Sequence, residues 1–319
     1  MARYLLRRVV MTLAVVVVVI TFLGVLQYLV PGDPVELIMG PRASPEFAAQ
    51  VRAEMGLDDP LLVQVGRFLV EAAQGDLGND FVTGQPVRQI IGSYLPHTII
   101  LAFAALGVAA LLGIPLGVFA ATHPDSLMDR VTSLVSVAFI TMPSYVSGLF
   151  LLLIFAVVLG IFPATGAGSI TDPATYLHHL VLPTAALAIT WVGYLARIVR
   201  SSMLEVLGAD YIRAARAVGL REGVIAYQYA LKNAIVPTVA LLGVSLGDLL
   251  GGAVFVEVIF SRPGLGSLVV DAIVDRNFPI VRGGVLVIAL LFVAANLAAD
   301  LSYRFLDPRV RVEKSVILG

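Results

Sequence analysis

VVMTLAVVVVVITFLGVLQYLV (Val9–Val30) runs for 22 residues without a charge. About 20 mostly apolar residues suffice for a helix to cross a bilayer. Lipid offers no partner for unpaired backbone groups, so a run of this length is read as a helix. Five more apolar runs follow: Thr98–Ala121, Ser133–Gly160, Leu180–Ala196, Ala234–Phe260, which contains Asp248 and Glu257, and Gly283–Ala299. They are continuous rather than alternating, which argues against a membrane β-barrel. The sequence therefore reads as an all-α polytopic membrane protein with six transmembrane helices. Arg3, Arg7 and Arg8 precede the first run, as in a signal peptide. That run exceeds an h-region of about 7–15 residues and no A-x-A site follows it, so it is expected to be retained.

The composition agrees. Of 319 residues, 59% are hydrophobic and 13% charged, against about 45–50% and about 25% in soluble domains. Mean hydropathy is +0.94. A water-soluble domain, a disordered chain and a nucleic-acid binder all fit this composition poorly. The absence of cysteine removes disulfides, thiolate metal sites and cysteine nucleophiles. The net charge of −1 says little, but its placement says more. With the N-terminus inside, 14 basic and 8 acidic residues fall on the inner side, against 7 and 12 on the outer side. This is the positive-inside bias, and it predicts both termini in the cytoplasm.

The outer segment after the first span carries helix signals. Ser44 is positioned to cap a helix with Pro45 at its first position, stopped by Gly56. Asp59 is positioned to cap a second with Pro60 at its first position, ended by Gly75. Leu61, Leu62, Val65, Phe68 and Leu69 form an apolar stripe on that helix. A small folded extracytoplasmic element is expected, either packing on its own spans or helping to dock or gate a solute. The inner segment after the fourth span, RIVRSSMLEVLGADYIRAARAVGLREGVIAYQYALKNAIVP, begins at Arg197. Asp210 is expected to cap a helix from Tyr211 to Val218, and Gly219 to end it in the left-handed conformation. A second helix is expected over Glu222–Asn233. Tyr211, Ala215 and Val218 share one face, small residues (Ala214, Ala215, Gly219) allow close approach, and Arg213, Arg216 and Arg221 form a basic rim. Such a helix suits a groove on a partner protein or the anionic headgroups of a membrane.

This segment resembles the cytoplasmic coupling loop, the EAA loop, of ABC importer permeases. Arg213 stands where that motif has glutamate; Ala214, Ala215 and Gly219 match, and Ile235-Val236-Pro237 stands for its closing element. The gap from Gly219 to Pro237 is like that of the dipeptide/oligopeptide/nickel group. Other blocks in the same order resemble the B-type inner-membrane permease of that group: RYLLRRV followed by PGDP (Pro31–Pro34), LPHTIILAFAAL (Leu95–Leu106), GIPLGVFAA (Gly113–Ala121), SMLEVLGADYIRAARAVGL (Ser202–Leu220), FSRPGLGSL (Phe260–Leu268) and NLAADLSYRFLDPRVR (Asn296–Arg311). The resemblance implies a type I ABC importer permease fold. Residues 1–30 would hold the N-terminus and first helix, 31–93 the extracytoplasmic element, 94–303 the transmembrane core with coupling loop 200–234, and 304–319 a cytoplasmic tail. It further implies a homologous second permease, two ABC ATPase subunits and an extracytoplasmic solute-binding protein as partners, with membrane lipid around them and no nucleic acid. The coupling helix would comprise Asp210, Tyr211, Arg213, Ala214, Ala215, Arg216, Gly219 and Leu220. The chain has no G-x-x-x-x-G-K-[ST] phosphate loop, so ATP and magnesium belong on the partner ATPases; no cofactor, metal or catalytic residue is expected on this chain. Dipeptides or short oligopeptides are the expected solute, with nickel, glutathione or another small peptide-like solute as the alternative.

Span five carries two acids. Asp248 lies near its middle, and Glu257 about 13 Å further along at 1.5 Å per residue. A mid-membrane carboxylate costs several kcal/mol unless it faces protein or water, so both are expected to face the interior and are candidates for a translocation path. Asp248 is either protonated or hydrogen-bonded to Ser245 or a partner helix, or it lines a path for a cationic group. Gly243, Gly247, Gly251 and Gly252 around it permit close packing or a bent backbone. Pro143 is expected to kink span three. His178 and His179 are adjacent on a helix and so unsuited to share a metal. Asn296 and Asp300 share a face of span six. Two other functions fit the sequence less well. An intramembrane hydrolase lacks a nucleophile elbow and a deep histidine. A secondary transporter acting alone, with Asp248 as its ion site, leaves the coupling-type loop unexplained.

Overall fold

The computed structural model describes residues 2–29, 59–169 and 171–306. Among these, the chain is helical apart from loops and one isolated bridge between Asn79 and Pro86. The helices are α1 (Ala2–Leu29), α2 (Leu61–Ala73), α3 (Val87–Thr122), α4 (Leu127–Thr141), α5 (Ser144–Leu151), α6 (Pro173–Leu207), α7 (Asp210–Ala217), α8 (Glu222–Val224), α9 (Leu231–Ala234), α10 (Val236–Ile259), α11 (Leu265–Val274) and α12 (Phe278–Leu306). Wider π-turns carry α5 on through Leu152–Val158 and join α8 to α9 over Ile225–Ala230. By length and apolar character α3, α6 and α12 can each cross a membrane. So can the broken pair of α4 and α5 with its π extension, and α10, which bends by 45° between Val236–Gly243 and Ser245–Ile259. The expected first span is helical in α1, whose apolar stretch is Leu13–Val25.

The chain forms two compact units. The first draws on described residues within Met1–His97 and Pro263–Val293, the second on those within Thr98–Arg262 and Ala294–Gly319.

In the first unit α2 lies against α1. Val16 and Ile20 of α1 join Val65 and Phe68 of α2 and Leu286 of α12 in one apolar cluster. The buried face of α2 is Gln64, Val65 and Phe68, and Leu62 is 77% exposed, so the expected stripe is narrower by that residue. Pro60 occupies the N-cap position instead of the first helical position. Asp59 does not cap: its carboxylate pairs with Arg67, and its carbonyl accepts from the Gln64 side chain at 2.9 Å. Gly75 ends the helix at φ +83°. The expected Ser44–Gly56 helix lies outside the described residues.

The loop from α2 to α3 is organised by Asp80, whose side chain is buried. Its carboxylate accepts from the Val82 and Thr83 amides at 3.0 and 3.1 Å, from the Thr83 hydroxyl and from the Asn277 amide. Burial pushes the Asp80 carboxyl up, but these bonds outweigh it and hold the group below the ordinary aspartate value. The loop therefore joins residues nearly 200 positions apart in sequence, 197 between Asp80 and Asn277.

In the second unit α6 is the axis of packing. A Cβ built on Gly113 of α3 would lie 2.8 Å from Leu195 Cβ and 2.9 Å from the Val192 carbonyl oxygen. One on Gly117 would lie 2.6 Å from the Ala196 carbonyl oxygen. Gly193 of α6 meets α4 in the same way, 2.7 Å from the Ser136 carbonyl oxygen. Gly243 of α10 meets Ala299 of α12 at 2.6 Å. Small residues spaced by four thus bring helix backbones into direct contact. Leu101, Ala105 and Ala109 of α3, Leu187 and Leu195 of α6, and Leu249, Ala253 and Val256 of α10 fill the core between them.

The expected kink at Pro143 is a complete break. The helix directions on either side of it differ by 105°, and Pro143 becomes the N-cap of α5. Proline supplies no N–H to continue α4, and the Thr190 hydroxyl on α6 donates to the Met142 carbonyl at 2.9 Å. At the start of α4, Ser126 caps the helix through the Asp129 amide. Asp129 accepts two bonds from Arg200 of α6, at 2.5 and 2.7 Å.

Two predictions follow from this packing. Gly→Ala in a helix is ordinarily stabilising by about 1 kcal/mol. Gly117→Ala should reverse that sign, costing about 1–3 kcal/mol through overpacking, whereas Gly107→Ala, with open space around its new methyl, should be neutral or stabilising. Melting temperatures of the purified chain in detergent read the difference; equal shifts for the two variants would refute the close backbone contact. For Asp80, a lowered folded pKa gives stabilisation that is present in full above the unfolded value near 4 and fades as pH falls through the folded value. Asp80→Asn should therefore melt below the wild type at pH 7, with the gap closing below about pH 4. A gap that stays constant from pH 7 to pH 3 would show that Asp80 contributes nothing through its charge.

Candidate functional site

Two sites emerge in the second unit: a hairpin formed by α7 to α9, and a cavity beside the break between α4 and α5.

The hairpin follows α6 directly. Gly208 and Ala209 turn the chain with amides donating to Glu205 and Val206 carbonyls, and Ala209 is the N-cap of α7. Asp210, the expected cap, is instead the first helical residue, and its carboxylate pairs with Arg213. An acid in the first turn still favours the positive end of the helix dipole. The C-terminus is as expected: Gly219 has φ +81° with open space around it, so conformation alone requires glycine there. Its amide donates to the Arg216 carbonyl and that of Leu220 to the Ala215 carbonyl, which closes a Schellman motif. Arg216 then holds Glu222 through two bonds, at 2.9 and 3.3 Å. The expected second helix exists, but as α8, π-turns and α9 in succession.

The buried face of α7 is Ile212 and Ala215. Of the expected docking face, Tyr211 and Val218 are exposed, Val218 at 77%, whereas Ala215 is buried. Ile212 and Ala215 pack with Val118 and Ala121 of α3, Val199 and Met203 of α6, and Ile225, Ala226 and Ala230 of the hairpin's second arm. Asn233 donates to the Tyr211 hydroxyl at 2.9 Å, tying the two arms together. What α7 leaves outward is Tyr211, Arg213, Ala214, Ala217 and Val218. The result is a short rigid helix, anchored to the ends of two long ones, with an outer face of small, apolar and basic groups.

The two acids of α10 part company. Glu257 is fully enclosed, and the Thr98 hydroxyl donates to its Oε1 at 2.6 Å. Nearby Arg262 is also enclosed; it donates to the Tyr176 hydroxyl at 2.6 Å and stands 4.9 Å from that ring's centre. Arg262 and Tyr176 were not singled out as site residues from the sequence, and the resemblance of FSRPGLGSL was the only signal near them. Asp248, the thirteenth of 24 residues in α10, opens onto a cavity of about 350 Å³. Ser245 does not bind it; that hydroxyl donates to the Leu242 carbonyl. Ile140, Thr141, Met142, Pro143 and Ser144 from the break, Thr190, Trp191 and Tyr194 from α6, and Gly252 from α10 line the same cavity. The structure therefore encloses Glu257 in a polar cluster and leaves Asp248 facing open space.

His178 and His179 bond separately, to the Ile161 and Thr175 carbonyls. Among the described residues no group of three His, Cys, Asp or Glu side chains is placed to hold a metal ion.

Comparison with known proteins accounts for this architecture. Residues 113–312 match the family model described as the binding-protein-dependent transport system inner membrane component, and residues 1–102 match the model of its N-terminal region. A protein of Brucella abortus (strain 2308) named as a peptide transport system permease is 40% identical over 314 residues, covering 98% of this chain and 100% of its own length. The dipeptide transport system permease of Alkalihalophilus pseudofirmus is 36% identical, covering 98% and 100%. The glutathione transport system permease of Salmonella paratyphi A is 36% identical, covering 98% and 99%. Among solved structures, the inward-facing MetNI methionine ABC transporter is similar with a TM-score of 0.57 at 19% identity, over 69% of this chain and 97% of that one, which shows a shared fold. The chain belongs to the family of binding-protein-dependent transport system inner membrane components, the membrane-spanning permeases of ABC importers.

Proposed function

We propose that this permease carries dipeptides or short oligopeptides across the cytoplasmic membrane, taking them from an extracytoplasmic binding protein. As a permease subunit it is not itself an enzyme. ATP and magnesium act on two partner ATPases, and a homologous second permease completes the pathway. The identity of 36–40% over nearly the whole chain with relatives named for peptides and dipeptides carries the solute assignment. Glutathione, itself a small peptide, is the alternative that the Salmonella relative favours. Both termini lie in the cytoplasm, which puts the α7 hairpin on the ATPase side. The translocation path includes Asp248; Glu257, being enclosed, supports that path without lining it.

The α7 hairpin supports the coupling role. Asp210, Tyr211, Arg213, Ala214, Ala215, Arg216, Gly219 and Leu220 divide the work. Ala215 anchors the helix, while Arg216 and Gly219 close it and lead into Leu220. The exposed Tyr211, Arg213 and Ala214, with Asp210 holding Arg213, meet the ATPase.

Ala214→Trp places bulk on the outer face and leaves the buried Ile212 and Ala215 untouched. Affinity purification from native membrane in mild detergent should recover a second permease and ATPases with the wild type. The variant should recover at least about tenfold less ATPase, a loss of about 1.4 kcal/mol in binding, at equal yield of the chain itself. Dialanine uptake into vesicles should depend on ATP and fall with it. A wild type that purifies without an ATPase, or a variant with full ATP-driven uptake, would refute the coupling assignment.

A further inference from the structure

We propose that the cavity at the break between α4 and α5 is an ammonium-binding subsite, in which Asp248 receives the free amino terminus of the peptide and Trp191 and Tyr194 flank it. This rests on the peptide-import reading and names the group that the path recognises.

Asp248 sits at the midpoint of a 24-residue apolar helix. Among the described residues it has no hydrogen bond or ion pair, and it faces a cavity rather than the core. A carboxylate at this depth is costly unless it meets water or a cation, so the space in front of it is polar in use. The cavity walls suit a cation. Trp191 and Tyr194 line it side by side with ring centres 5.5 Å apart, and the faces of both rings attract ammonium groups. The carboxyl end of α4, the negative end of its dipole, reaches the same space through Ile140, Thr141 and Met142. The amino end of α5 enters at Ser144, so the cavity presents both signs of charge to a zwitterion. Its volume of about 350 Å³ lies at the lower end of ligand pockets.

The donor set favours ammonium over a metal ion. Among the described residues Asp248 is the only carboxylate on the cavity wall, and no histidine joins it. A divalent ion would need several oxygen or nitrogen ligands, whereas an ammonium is satisfied by one carboxylate, a carbonyl end and aromatic faces.

The chain carries its own reporter, because Trp191 is its only tryptophan. The full-length chain in detergent is titrated with L-alanyl-L-alanine and with its N-acetyl derivative while Trp191 fluorescence is followed. A saturable change is expected with the free dipeptide, and affinity at least about tenfold weaker for the acetylated one. Asp248→Asn should reduce the free dipeptide to the level of the acetylated one, and Asp248→Glu should keep most of the discrimination. The proposal is overturned if the wild type does not respond, if it responds equally to both peptides, or if Asp248→Asn leaves the discrimination intact. The comparison within the wild type needs no variant to fold. Dialanine uptake by the assembled importer separates the two readings. Uptake without discrimination removes the subsite alone, whereas discrimination without uptake removes peptide import and leaves a cation subsite.

Discussion

A polar group that leaves water must find its partner inside the protein, and this constraint shapes the second unit. Proline at 143 interrupts the backbone of an apolar span, and Thr190 of α6 donates its hydroxyl to the Met142 carbonyl at the break. Glu257 is enclosed and takes the Thr98 hydroxyl. Arg262 lies against the Tyr176 ring and hydroxyl. Asp129 binds Arg200 through both oxygens. Against this pattern Asp248 stands out, because it is the acid in the middle of an apolar helix that the second unit leaves facing open space. That exception sets the cavity apart from the enclosed polar pairs around it.

The same economy governs the hairpin. Two residues of α7, Ile212 and Ala215, fix it to the ends of α3 and α6. Hydrogen bonds local to the turn close its ends, and the salt link from Arg216 to Glu222 joins it to the following arm. Little of its surface is spent on holding it in place, so most of it remains outward.

Much of the architecture was legible in the sequence because apolar runs of about 20 residues have few alternatives in a membrane. Gly219 was legible too, since a glycine directly after a helical pattern points to a left-handed residue. Other details were set by tertiary partners that no local pattern reveals. The buried face of α7 depends on where α3 and α6 end, and a helix of two turns is too short for its own periodicity to decide. Asp210 and Asp59 were both read as caps, yet each found an arginine three or eight residues on. The surroundings of Glu257 come from Thr98, 159 positions away. Pro143 announces a disturbance in span three, but the local pattern does not carry its size, a change of direction of 105°. The cavity itself is made by four helices, α4, α5, α6 and α10, and has no linear signature beyond Asp248.

The glycines of α3 have a mechanical consequence. Where Gly113 and Gly117 meet α6, neither glycine contributes a side chain, and the α3 backbone rests on α6 carbonyls and the first carbons of Leu195 and Val199. Long side chains are the compliant part of a helix contact, since they can change rotamer and slide. A joint in which one helix contributes none resists shear. The α7 hairpin is bolted to the ends of these same two helices. Force applied to it therefore has no cushion in which to be lost, and α3, α6 and the hairpin would move as one stiff lever.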